Sequence, residues 1–153
     1  MARVNVGICP STLSDQHLLA ESVEITMITG ALKKDGYIIK GEVPQHFCLG
    51  KGHINFFKNK LQYLSERLEC VNAELINRGF KPTTKINQAN WPPSLWKPWK
   101  PTKKDTAIVR DRVILRLKSP LKATNTFHRH YSQPITDMED FCEKIKNNKL
   151  NEK

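Results

Sequence analysis

The chain has 153 residues, 39% of them apolar and 26% charged, with a formal net charge of +10. That length suits about one domain, and the composition supports a packed core rather than wholesale disorder. No apolar run approaches the roughly 20 residues of a membrane span, and none follows the first residues as in a secretory leader. Cytoplasmic residence is therefore the expectation.

A short extended start, Arg3 to Ile8, precedes Cys9-Pro10-Ser11-Thr12, where Pro10 ends any regular element. Ser14 or Asp15 can cap a helix running to about Lys34, with Leu18, Ile25, Ile28 and Leu32 on one stripe. Asp35-Gly36 closes it. After a loop containing Pro44, the residues Ile54, Phe57, Leu61, Leu64, Leu68, Val71 and Leu75 alternate spacings of three and four. That pattern predicts one long helix over 54–78, about 35–40 Å in length, as the central pillar. Asn77-Arg78-Gly79 ends it.

The segment 91–101 carries three tryptophans among prolines, which exclude a helix or a central strand there. Its rings are expected to pack over the helices from outside, the alternative being stacking on bases beside Lys97 and Lys100. A third helix is predicted from about Asp105 to Lys118, ended by Ser119-Pro120, and a fourth from Ile135 to about Lys146. The fold class is mainly α: a compact single domain of three to four helices around a long central helix. Residues 1–135 form that domain, and residues 136–153 are a C-terminal extension of a short helix and polar tail.

Charge is unevenly placed. Residues 81–130 hold twelve Lys or Arg against Asp105 and Asp111, whereas the flanking stretches are nearly neutral. A concentrated basic stretch suits a polyanion, with nucleic acid as the first candidate. The four cysteines, Cys9, Cys48, Cys70 and Cys142, contain no C-x-x-C pair and are read as buried or idle thiols.

Three constellations could carry chemistry. His17, Glu21 and Glu24 fall at i, i+4 and i+7 on one helix face, a pattern open to acid–base work or to a plain polar face. Removal of Met1 would leave Ala2 with an α-amino group of pKa about 7.7–8.0, partly neutral and nucleophilic at neutral pH. Phe127-His128-Arg129-His130-Tyr131 alternates rings with a cation, which suits either base stacking or ordinary packing.

These residues together resemble the phage pyrimidine-dimer DNA glycosylase family, the DNA-repair enzymes also called endonuclease V. Ala2-Arg3-Val4-Asn5 is similar to that family's N-terminus, and Asp15-Gln16-His17-Leu18-Leu19-Ala20-Glu21 with Glu24 to its first helix. Leu49-Gly50-Lys51-Gly52-His53-Ile54-Asn55-Phe56-Phe57 with Lys60-Leu61 looks like the start of its long helix, and Arg78-Gly79-Phe80 like the exit. Arg116-Leu117 and the stretch from Phe127 to Ile135 are more faintly similar.

The resemblance implies a DNA glycosylase with abasic-site lyase activity, acting through an imine on a pyrimidine dimer or related damaged base. It assigns the amine to Ala2 and the catalytic carboxylate to Glu24. Arg3, Gln16 and His17 would line the site or touch DNA, and Arg116, Lys118, Lys122, His128, Arg129 and His130 would lie on the DNA-facing side. The expected partner is double-stranded DNA, bound by a monomer, with no cofactor or metal and no membrane. Ala2 stands where the family has threonine, and Val23 and Met27 where it has arginines. The alternative is a non-catalytic nucleic-acid-binding protein on the same scaffold.

Overall fold

The computed structural model describes residues 3–118 and 128–147. Its order is α1 (Asp15–Lys34), α2 (His53–Phe57), α3 (Leu61–Asn77), α4 (Lys103–Leu117), a short antiparallel pair β1 (Arg129–His130) and β2 (Gln133–Pro134), then α5 (Met138–Asn147). The mainly α reading holds. Among the described residues no helix is long and apolar enough to cross a membrane.

Ser14 caps α1 by accepting the His17 N–H, satisfying a donor that the first turn leaves free. The expected stripe, Leu18, Ile25, Ile28 and Leu32, is fully buried. It packs against α3, whose Leu64, Leu68, Val71 and Leu75 bury the matching face. At the end of α3, Gly79 turns left-handed (φ 90°). Its N–H bonds the Ile76 carbonyl and that of Phe80 bonds Leu75, the paired closure that a glycine at this position permits.

The single helix expected over 54–78 is two helices. The chain leaves helical geometry at Lys60 (φ −123°, ψ 43°), after tight bonds from Lys58 N to Asn55 O and Lys60 N to Phe57 O. Phe56 and Phe57 point about 100° apart on α2 itself; the break frees α2 from the axis of α3, and both rings join a cluster with Phe47 and Trp99. The Lys60 ammonium covers the break, donating to the Phe56 carbonyl at 2.8 Å and lying 3.8 Å from its ring centre. The 3–4 spacing survives across the interruption, which is why periodicity alone missed it. The pillar is thus α3, about 25 Å long, beside the longer α1.

The other boundaries shift for local reasons. Thr102 and Asp105 form a reciprocal capping box, so α4 starts at Lys103 rather than Asp105. Asp137 accepts the Asp140 N–H, so α5 starts at Met138 rather than Ile135. Cys142 and Ile145 on α5 enter the core beside α4. Trp91 is buried, and Trp96 and Trp99 pack on the core. The four thiols are free. The β pair was not expected; its turn places Tyr131 and Ser132 at positive φ. The described residues exclude Met1, Ala2, the expected stop at Ser119-Pro120, Lys122, Phe127 and the tail beyond Asn147.

Candidate active site

The site begins with residues 3–8, which were expected to be extended. They form instead a buried, turned thread, because their polar groups find side-chain partners rather than a neighbouring strand. Val4 N–H donates to His53 Nε2 at 3.1 Å, and His53 Nδ1 donates to the Cys48 carbonyl at 2.8 Å. That pair of bonds requires a neutral imidazole, and burial lowers the His53 pKa to about 4. Asn5 Nδ2 donates to Glu21, and Arg67 donates to the Ile8 carbonyl. Gly7 (φ 74°) lies so close to Thr106 on α4 that a Cβ there would collide with it. The thread is therefore gripped from α1, α2, α3 and α4.

The three residues of the α1 face separate into different roles. Glu21 is fully buried and holds a bidentate pair with Arg67, at 2.6 and 3.0 Å. It is saturated and structural. Glu24, one turn on, is also buried, yet its Oε1 has no hydrogen-bond partner among the described residues. Arg3 Nη1 approaches that oxygen at 3.8 Å, while Arg3 Nε donates to the Leu49 carbonyl. Burial pushes the Glu24 carboxyl above the ordinary glutamate range, against the pull of Arg3 and Arg112. A desolvated carboxylate with an open oxygen is suited to stabilising a nearby cation or moving a proton.

Cations gather around it. Arg112 and Arg116 on α4 act electrostatically on His17, and Arg112 acts also on Glu24. Burial first, then Arg116 and Arg3, lower the Arg112 pKa. His17 bonds Ser14 Oγ through Nδ1 at 3.2 Å and stacks on His128 at 5.2 Å. Burial, with His128, Arg112 and Arg116 adding to it, drives the His17 pKa down to about 3. Burial lowers His128 as well. Both rings are neutral at physiological pH and offer hydrogen bonds rather than charge.

The other residues singled out from sequence fall around the start of α1. Gln16 Oε1 accepts the Arg129 N–H at 2.8 Å, and His130 Nε2 sits 3.0 Å from the Ser11 carbonyl. Asp15 accepts from Tyr131 N, Ser132 N and Arg78 Nη1, clamping the β turn onto α1. His128 is buried under this clamp; Arg129, Arg116 and Lys118 are exposed. Ala2 and Lys122 lie outside the described residues.

A family model described as pyrimidine dimer DNA glycosylase matches residues 1–88. The chain belongs to that family. The matched stretch contains the thread, α1, α2 and α3, and with them Arg3, His17, Glu24 and His53. Membership ascribes to the chain a DNA substrate and a glycosylase's class of chemistry. The α4 cations lie beyond the matched stretch.

Sequence reasoning passed over three contributors. His53 has one signal in the sequence, a histidine at a helix start just after Gly50 and Gly52. Arg67 stands beside the Leu64–Leu68 stripe, and a cation there hints at a buried partner. Arg112 had no signal beyond the basic stretch.

Proposed function

We propose that this family member is a DNA glycosylase with abasic-site lyase activity, working through an imine on the N-terminal α-amine. After loss of Met1, the Ala2 nitrogen attacks C1′ of the damaged nucleotide and the base departs. Nitrogen then loses a proton, the C1′–O4′ bond breaks as O4′ takes up a proton, and the ring-opened sugar carries the protonated imine at C1′. A carboxylate then takes a C2′ proton, and the 3′ phosphate leaves by β-elimination. Glu24 has the character this needs: buried, raised in pKa and with one oxygen open. The observation that carries the reading is the approach of Arg3 to Glu24, because Arg3 is the residue next to Ala2. Its damaged substrate is a pyrimidine dimer or a related base, held in double-stranded DNA by cations such as Arg112, Arg116 and Lys118.

The test is borohydride trapping on abasic and UV-damaged duplexes. Wild type should give a covalent complex. One residue added ahead of Ala2 displaces the amine by about 3.8 Å, and trapping should collapse. Glu24→Gln should lose strand cleavage while still binding DNA. Cleavage at the wild-type rate by Glu24→Gln would refute the assignment. Binding without any trapping would instead favour a non-catalytic DNA-binding protein.

A further inference from the structure

The exposed side of α1 next to Glu24 has an unusual character for a chain of charge +10. Between Asp15 and Lys33 the helix has two acidic residues, Glu21 and Glu24, both buried, and no Lys or Arg. In that span its most exposed residues are Leu19, Val23, Met27 and Gly30, flanked by half-buried neutral ones that include Ser22 and Thr26. Leu19, Val23 and Met27 stand at i, i+4 and i+8 and are 39%, 55% and 51% exposed, an apolar ridge along solvent. At about 100° per residue, Met27 and Val23 project about 60° and 100° from Glu24, both to the same side. The ridge thus borders the edge of α1 that Arg3 and Arg112 approach.

A helix face built to neutralise phosphates carries cations, as α4 does with Arg112 and Arg116. We propose that the Leu19–Val23–Met27 ridge seats the apolar faces of unstacked bases beside a lesion, while α4 and Arg3 meet the backbone. The inference rests on the reading of Glu24 as the reacting carboxylate, which brings the damaged nucleotide to this edge. Side chains of this kind engage base faces at the cost of unstacking, and that cost is least where a lesion has already broken the stack. They therefore set preference for damaged over intact duplex, and Val23 and Met27 are specificity-determining residues rather than catalytic ones.

The test compares binding to an intact duplex and to one with a tetrahydrofuran abasic analogue, which has no anomeric hydroxyl and cannot form an imine. Wild type should prefer the interrupted duplex. Val23→Ser combined with Met27→Ser should lower that preference about tenfold and leave the salt slope unchanged. Both positions are exposed, so urea unfolding should match wild type. The proposal is overturned if wild type has no preference or if the Ser pair keeps it. Sedimentation showing a wild-type dimer that the Ser pair dissolves would also overturn it, making the ridge a self-association face. Because no imine can form here, failure of this test is separate from failure of borohydride trapping on natural abasic sites.

Discussion

Glu21→Gln is the sharpest test of how the site is built. It keeps the shape of the side chain and removes the charge opposite Arg67, whose guanidinium stays buried at 7% exposure. Leaving one member of a buried pair uncompensated costs about 3–5 kcal/mol. For a chain of this size each kcal/mol lowers Tm by about 2–4 °C, so the expected drop is about 10 °C. With a urea slope of about 2 kcal/mol/M, the midpoint should fall by about 2 M. Glu21→Met with Arg67→Met should cost less than the two single changes added, because no lone charge remains. It will not be free, since Asn5 Nδ2 and the Ile8 carbonyl both lose a partner. The same groups hold the thread that carries Arg3 toward Glu24, so trapping by Glu21→Gln should slow even where the protein is fully folded. A loss below about 1 kcal/mol would refute the idea that this pair is desolvated and anchors the thread.

Acid should unfold the protein partly through His53. Its folded pKa of about 4 lies below the ordinary 6.5, so the unfolded chain binds a proton that the native state refuses. Stability should be intact above pH 6.5 and decline as pH falls toward 4; His53→Gln should flatten part of that decline in urea titrations, and an unchanged slope would contradict the neutral-ring assignment. Leu64→Ala or Leu68→Ala should each cost about 2–5 kcal/mol, read by denaturant unfolding, since both side chains are buried on α3. DNA affinity should fall steeply with salt, with a logarithmic slope of roughly −5 if about six phosphates are neutralised. Arg116→Ala should make that slope shallower by about one.

The positions of α1, α3, α4 and α5 were legible from sequence because each signal is local. Leu18 to Leu32 and Leu61 to Leu75 repeat at helical spacing, Ser14 caps its own first turn, and Gly79 needs only the chain around it. The resemblance alone assigns roles to Ala2 and Glu24, since a short motif carries them; of the two, the structure describes Glu24. The break at Lys60 was not legible, because it preserves the spacing on both sides and is decided by where Phe47 and Trp99 lie. Nor was the division of labour between Glu21 and Glu24. Two glutamates three residues apart on one helix look alike in sequence; Arg67, on another helix, saturates one and leaves the other with an open oxygen. The neutral state of His17 has the same origin, for its ring is desolvated against His128, more than a hundred residues away. Residue type and spacing determined which groups were present and which helix bore them. Only long-range packing decided which were paired, buried or open, because desolvation and pairing depend on neighbours that the chain brings together from distant positions.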